Sequence, residues 1–248
     1  MTVDRSLWAD KFKNELPHWP CPTCDKGHFA PLDGKFLVEE TGPSKTAHDH
    51  DAWEPDWIEK RVSGLLECSM PACKELATIS GSVAVDYYQI GYNEYVDSSI
   101  FKIQFISPAP IPIAIPTGTP EPIADALRTA SALIWPSAES AANQIRQAVE
   151  CLMDAAKISA KDDSGKRIYL HNRILEFEKT DQENGQVLLA TKWLGNSGSH
   201  AGGISRDDVL DAFDMIEFVL ENRFGTTKAA LMAKVAAVNA AKGPAKNP

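Results

Sequence analysis

Two closely spaced cysteine pairs constrain the N-terminal part of the chain more than any other feature. The first pair is Cys21 and Cys24, and the second is Cys68 and Cys73. These separations let one tight turn direct two thiolates at a single metal ion, and two such turns complete a closed tetrahedral site. We therefore predict one structural zinc ion per chain held by all four cysteines; the alternative is a group of unligated thiols.

The stretch between the two pairs is long for a zinc ribbon. It contains 43 residues, whereas ribbons commonly have roughly 15–20, so we expect an insertion at residues 40–57. His48 and His50 lie in this insertion and are the competing ligands, but their acidic neighbours favour a solvated loop. The fifth cysteine, Cys151, falls in a helical pattern and is expected to be a small core residue.

A β pattern surrounds the cysteines. β-branched and aromatic residues, partly with a period of two, predict strands at residues 36–38, 64–67, 78–85 and 100–106. Before the first cysteine pair, five residues have helical spacing and predict a short amphipathic helix: Leu7, Trp8, Lys11, Phe12 and Leu16. The pattern indicates a small antiparallel, zinc-ribbon-like β domain over residues 1–106.

A proline-rich segment separates this domain from a helical one. The four prolines in residues 107–116 exclude both a helix and a regular sheet ladder, so residues 107–118 are expected to form an extended linker. A helical bundle is predicted at residues 119–225, followed by an Ala- and Lys-rich tail, helical or disordered, at 226–248. The predicted fold class is α+β.

The bundle should contain about five helices. Thr119 before Pro120 predicts the first start, and Trp135-Pro136 predicts a break before a long helix over residues 137–158. Two shorter helices are expected around residues 168–177 and 187–194.

The last predicted helix has clear boundaries. Ser205 is the expected N-cap, with Asp208 completing an approximate capping box, and Gly225 is the expected stop.

The order of these helices and two short motifs resemble the DUF4145 family. The motifs are Arg146 four residues before Glu150 on the long helix, and Leu194-Gly195-Asn196 with His200 before the final helix. That family belongs to the HEPN-like helical domains and often carries an N-terminal zinc ribbon. The resemblance therefore implies a HEPN-like bundle and agrees with the cysteine pattern.

Active HEPN-like proteins are often metal-independent ribonucleases that work as dimers, with an arginine shortly before a histidine. The resemblance implies that His200 could transfer protons while a cation stabilises phosphate charge. This chain lacks the arginine, and its nearest upstream cation is Lys192, eight residues before His200. The candidate site therefore consists of His200, Asn196, Arg146 and Glu150. Arg146 or Arg206 could replace the missing cation.

Simpler interpretations of these residues remain open. The glycines around Asn196 favour a loop, in which the Asn196 side chain would brace a turn. Arg146 and Glu150 also fit the solvated polar face of an amphipathic helix.

Charge and hydropathy exclude several classes of protein. The net charge is -9. The sequence therefore lacks a basic domain of the kind that indicates nucleic-acid binding. We see no secretory apolar run and no stretch near the ~20 apolar residues of a membrane span, which predicts a cytoplasmic protein without membrane contact. The phosphate-binding loop with lysine, the G-x-S-x-G elbow and the His-Glu-x2-His motif are also absent.

Three functional hypotheses follow from the sequence. The first is a zinc-binding adaptor for a nucleic acid or a protein, in prokaryotic anti-phage or toxin-type defence, with a homodimer formed through the bundle. The second is a HEPN-type endoribonuclease using His200. The third is a small-ligand or nucleotide pocket around Arg146, Asn196 and His200. The missing arginine and the acidic charge favour the adaptor.

Overall fold

The chain forms two compact units. The computed structural model describes residues 3–92, 94–197 and 203–244, without the side chains of residues 196–197 and 227–229. The sheet unit comprises Asp4–Pro112 and Arg128–Ala141. The helical unit comprises Val3, Ile113–Leu127 and the chain from Ala142 onward. Strands followed by helices make a mixed α+β fold, as predicted. None of the described helices has both the length and the apolar character needed to cross a membrane.

The sheet unit contains five antiparallel strands: β1 (Phe12–Lys13), β2 (Phe29–Glu40), β3 (Glu59–Cys68), β4 (Leu76–Gly91) and β5 (Glu94–Ser107). Their spatial order is β1-β5-β4-β3-β2, so the four long strands form successive hairpins. Burial alternates along β4 from Ala77 to Val85, as expected for a strand with one face on a core. The four predicted strand segments all lie within β2–β5 and are confirmed.

The helix predicted near the N-terminus is wrong. A 3-10 turn spans Arg5–Trp8, and Phe12 then pairs with Phe101 of β5 as part of β1. Phe12 packs edge-on against the fully buried Trp19, with ring centroids 5.6 Å apart. Aromatic packing and pairing with a strand almost 90 residues away thus override the local helical spacing.

The connection between β2 and β3 contains the expected insertion. A short helix α1 (Gly42–Ala47) and a 3-10 turn (Pro55–Trp57) lie between the two strands. The paired strands extend from Glu40 opposite Lys60 down to Phe29 opposite Cys68. This long hairpin explains the spacing between the cysteine pairs, because it leads the chain away from the first pair and back to it.

The helices follow the predicted order: α2 (Glu121–Leu133), α3 (Ala138–Ala155), α4 (Leu170–Glu178), α5 (Gln182–Ser197), α6 (Arg206–Phe224) and α7 (Thr227–Ala241). Residues 108–120 contain no helix or strand, as expected of the proline-rich segment. The core of the helical unit is built from fully buried side chains on α3–α6, among them Ile145, Leu152, Ile174, Leu188, Phe213 and Leu220.

The predicted boundaries of α6 are confirmed, whereas the predicted N-cap of α2 is wrong. Ser205 and Asp208 form a complete capping box at the start of α6, and Gly225 ends that helix. Thr119 does not cap α2, because the helix begins two residues later and the Thr119 hydroxyl has no hydrogen-bond partner among the described residues.

Candidate functional site

The four predicted metal ligands lie together. The Sγ atoms of the four cysteines are all within 4.8 Å of one another. Cys21 Sγ is 3.9 Å from Cys73 Sγ, and Cys24 Sγ is 3.7 Å from Cys68 Sγ. A tetrahedral metal with bonds of about 2.3 Å to sulfur places its ligands roughly 3.8 Å apart. The sulfur positions therefore fit a tetrahedral metal ion.

Two similar turns position these sulfurs. Asp25 follows the first pair and donates its N–H to the Cys21 carbonyl (3.1 Å), while Lys74 follows the second pair and donates to the Met70 carbonyl (3.1 Å). Both residues have left-handed backbones, with φ of 52° and 53°. Each turn thereby reverses the chain within a few residues and aims both of its thiols at the same point.

Backbone groups also approach the sulfurs directly. The N–H of Gly27 donates to Cys24 Sγ (3.4 Å), and the N–H of Met70 donates to Cys68 Sγ (3.5 Å). A Cβ at Gly27 would lie 2.5 Å from Cys68 Sγ, so only glycine fits between the two turns. Such N–H donors stabilise thiolate charge and complete the surroundings of the ligands.

The Cys24 and Cys68 thiols differ in acidity. Backbone hydrogen bonds from Lys26 and Gly27 lower the pKa of Cys24 to about 7. Burial raises the pKa of Cys68 to about 12. A bound cation would offset this burial cost by stabilising the thiolate, as expected of a metal ligand.

The other candidate ligands lie elsewhere. His48 Nε2 is 2.8 Å from Glu40 Oε1, and His50 Nδ1 accepts the N–H of Ala52 at 3.1 Å. Among the described residues, the metal-compatible cluster consists of the four cysteines. Cys151 is half-buried on α3 and lies near Gln147.

The predicted helical site is only partly within the described chain. His200 and the side chain of Asn196 lie outside the described residues. The backbone of Gly195 and Asn196 is helical in α5, so the predicted loop at these two positions is wrong. Gly195 lies close to α3, because a Cβ there would be 3.2 Å from the Ala142 carbonyl oxygen.

Arg146 and Glu150 form an ion pair on α3. Arg146 Nη2 is 3.2 Å from Glu150 Oε1, and Arg167 Nη2 is 3.7 Å from the other carboxylate oxygen of Glu150. The side chains of Arg146 and Glu150 are both half-buried. The Glu150 carboxylate therefore pairs with the guanidinium groups of both Arg146 and Arg167.

Sequence reasoning missed Lys192 as a site residue. Its side chain is only 7% exposed, and its Nζ lies 3.4 Å from the ring centroid of Trp193. Burial lowers the pKa of Lys192, and the charge of Arg146 lowers it further. A signal was present, because Lys192 follows the buried Leu188 by four residues and so continues the apolar face of α5.

Two family models match the chain. Residues 10–106 match DUF8608, a domain of unknown function, and residues 128–241 match DUF4145, also a domain of unknown function. The DUF4145 match extends through α7, which the sequence pattern had assigned to the tail. Comparison with curated proteins and with solved structures gave no significant match. The first half of the chain, which carries four closely spaced cysteines, is thus similar to DUF8608, and the second half is similar to DUF4145.

Proposed function

We propose that this protein is an adaptor whose sheet unit is held by one structural zinc ion and binds a protein partner. The metal part rests on the sulfur geometry. Four thiolates fill a tetrahedral coordination sphere and leave no position for water or substrate, which is typical of a structural ion. Tetrahedral four-sulfur sites hold zinc or iron, so the metal requires direct measurement.

The metal test uses two cysteine variants. Purified wild type should contain about one zinc per chain, and Cys24→Ser should lose most of it. Cys151→Ser is the matched control, because that thiol lies on α3 outside the four-cysteine cluster. Iron in place of zinc, or equal zinc in wild type and Cys24→Ser, would contradict the zinc assignment.

The observation that carries the adaptor role is an exposed aromatic surface at the end of the β4–β5 hairpin. Strand β3 pairs with β4 only as far as Ala84, so the hairpin continues beyond it as two strands. This tyrosine surface consists of Tyr87, Tyr92 and Tyr95, all exposed. Tyr88 lies on the other face of the hairpin, where Lys13 Nζ is 4.7 Å from its ring centroid. Tyr87 and Tyr95 stack at 5.1 Å across the strands, and Tyr92 at the turn is 96% exposed.

Charge indicates the class of partner for the tyrosine surface. Asp97 is paired with Tyr87 across the strands, and Glu94 lies near the turn of the same hairpin. Asp86 lies on the other face, 3.9 Å from Lys13. Carboxylates repel nucleic-acid phosphates but attract the basic side chains of a protein, and tyrosine is common in the centres of protein interfaces. The surface therefore fits a protein with basic groups around an apolar patch.

A capture experiment tests this surface. Zinc-loaded wild type and the Tyr92→Ser/Tyr95→Ser variant are used as baits, and the affinity of each partner is then measured with purified components. We expect at least tenfold weaker binding by the variant. Tyr169→Ser is the control, because Tyr169 is 70% exposed in the helical unit. Equal affinity of all three baits would contradict the proposal.

The alternative is a metal-independent HEPN-type endoribonuclease using His200. What favours it is that Arg146 and Lys192 lie in one region of the helical unit, because a Cβ at Gly195, three residues after Lys192 on α5, would be 3.4 Å from Arg146 Cβ. Both cations could stabilise phosphate charge. The test compares RNA cleavage by zinc-loaded wild type and His200→Ala. Cleavage that disappears in the variant would replace the adaptor proposal, and absence of cleavage in both would support it.

A further inference from the structure

The sheet has a groove on the face opposite its core. Val83 and Val85 of β4 are buried, whereas Ser82 and Ala84, which alternate with them, are more exposed and lie on the other face. Two cavities of about 340 and 440 Å³ are present on this second face. Ser82 and Ala84 line both cavities, so the two form one outer groove with a floor of small side chains. Cavities of this size are typical of sites for small molecules.

The strand register places a cation on each side of this floor. Arg61 of β3 is paired with Ser82, and Ser82 is paired with Lys102 of β5. Residues that are directly paired in antiparallel strands share a face, and neighbouring strands lie about 4.8 Å apart. A guanidinium group, a hydroxyl group and an ammonium group therefore follow one another in a row across three strands.

The cations belong to different halves of the outer groove. Arg61 lines the smaller cavity, and Lys102 lines the larger one together with Lys11. Arg61 donates a hydrogen bond to the Lys60 carbonyl oxygen (3.4 Å), but none of the three cations forms a salt bridge within the described chain. Each half of the groove therefore offers positive charge to an anionic group of a ligand.

Carboxylates around the outer groove limit the charge of that group. Glu59 lines the smaller cavity, and Glu39 of β2 is paired with Arg61. Asp86 lines the larger cavity and lies 3.9 Å from Lys13. These carboxylates repel a doubly charged phosphate group more strongly than a singly charged carboxylate. Two separate carboxylates, one in each half, therefore suit the groove better than one phosphate.

We propose that the outer groove binds a small dicarboxylate, with one carboxylate held by Arg61 and the other by Lys102 and Lys11. Arginine binds a carboxylate through two parallel N–H donors, and lysine supplies a compact charge. The Ser82 hydroxyl lies between the two cations and donates to the nearer carboxylate. The short carbon chain of the ligand lies over Ala84.

The outer groove is separate from the tyrosine surface. Tyr87 is five positions from Ser82 on β4 and therefore lies on the opposite face. The residues that line the two cavities include none of the four clustered cysteines. The adaptor proposal therefore holds or fails independently of ligand binding in the groove.

Calorimetric titration of the full zinc-loaded chain with succinate tests the proposal, and acetate and inorganic phosphate are the comparison probes. Arg61→Met and Lys102→Met each remove one cation. Ala84→Leu fills the floor of the groove without changing the charge. Lys35→Met is the matched control, because Lys35 is an exposed lysine of β2 that lines neither cavity.

We expect wild type and Lys35→Met to bind succinate at least tenfold more tightly than acetate or phosphate, because succinate contacts both halves of the groove at once. Arg61→Met and Lys102→Met should each weaken succinate binding at least tenfold, since each removes a charge-assisted hydrogen bond. Ala84→Leu should abolish binding, because its side chain occupies the space of the ligand.

The four substituted side chains are exposed, so each variant should unfold at the temperature of wild type. The comparison of the three probes on wild type requires no variant at all. Wild type that does not bind succinate, or that binds phosphate or acetate as tightly, would overturn the proposal. A folded Lys102→Met or Ala84→Leu that binds succinate as tightly as wild type would also overturn it.

Discussion

At the scale of single residues, the four-cysteine cluster depends on a glycine as much as on its cysteines. The four sulfurs come from two turns that are far apart in sequence, and Gly27 lies where those turns meet. The cysteine spacing predicted the ligands, because two thiols within one turn are a local pattern. The need for glycine at position 27 could not be predicted, since it arises from Cys68 and Met70 in the other turn.

Gly27→Ala should weaken zinc binding at least tenfold. The added Cβ would lie 2.5 Å from Cys68 Sγ and 2.8 Å from Met70 Cγ, so the ligand must move. Zinc affinity is measured by competition with a chromogenic chelator. Gly42→Ala is the control, because a Cβ there meets nothing within 4 Å; equal losses in both variants would show that the close approach is unimportant.

Zinc affinity should fall as the pH is lowered. In the metal-free protein the pKa of Cys68 is about 12, so this thiol keeps its proton at neutral pH and zinc must displace it. A backbone hydrogen bond at Glu75 opposes the shift, but burial and the neighbouring Cys24 and Cys21 thiols still raise the pKa of Cys73. Zinc must therefore displace at least two protons at neutral pH, and each of them weakens apparent binding about tenfold for each unit of pH decrease. Below about pH 7 the Cys24 thiol also becomes protonated, and the dependence should steepen. Zinc titrations between pH 6 and 8 check this, and a pH-independent affinity would exclude thiolate ligation.

At the scale of helices and strands, local sequence patterns predicted which elements form more accurately than where each element begins and ends. The strands within β2–β5 and the order of α2–α6 followed from hydrophobic periodicity. The segment at β1 was mispredicted because its partner, β5, lies far along the chain. Gly195 favoured a loop in the sequence, but it lies within α5. A small residue fits this position because the Ala142 carbonyl of α3 lies close to it.

Ser205→Ala should destabilise the helical unit by about 1 kcal/mol, the usual cost of losing an N-cap. The Ser205 hydroxyl accepts the Asp208 N–H at 3.1 Å, and the Asp208 carboxylate accepts the Ser205 N–H at 2.8 Å. Urea unfolding followed by helical circular dichroism gives the change. Thr226→Ala should change stability much less, because the Thr226 side chain makes no capping hydrogen bond at α7.

At the scale of the whole molecule, two compact units and two family matches describe the chain. The boundaries of the units and of the family matches differ: residues 128–141 belong to the sheet unit by packing, although the DUF4145 match begins at residue 128. Trp135 packs edge-on against Trp19 within the sheet unit, at 5.8 Å between centroids. A local sequence pattern could not reveal this long-range contact.

Removal of zinc should act mainly on the sheet unit. The four ligands all lie in residues 4–112, and metal binding stabilises only the structure that the ligands hold. Chelation should therefore lower the midpoint of the tyrosine and near-ultraviolet signals more than that of the helical signal at 222 nm. Equal shifts of both signals would mean that the units unfold together.

The homodimer expected from the family resemblance stays a prediction. Light scattering on zinc-loaded protein gives the mass directly, and a value of twice the 27.1 kDa of one chain is the expected result. A mass that stays at one chain across a hundredfold range of concentration would rule out a stable dimer.

The sequence by itself determined the two cysteine pairs, the order of strands and helices and the capping box of α6, because each depends on residues a few positions apart. Tertiary structure decided which residues meet. It paired Phe12 with Phe101, required glycine at position 27 and buried Lys192 near Arg146. Those outcomes depend on packing between distant segments, and the buried charge at Lys192 becomes visible only when the helices that surround it are in place.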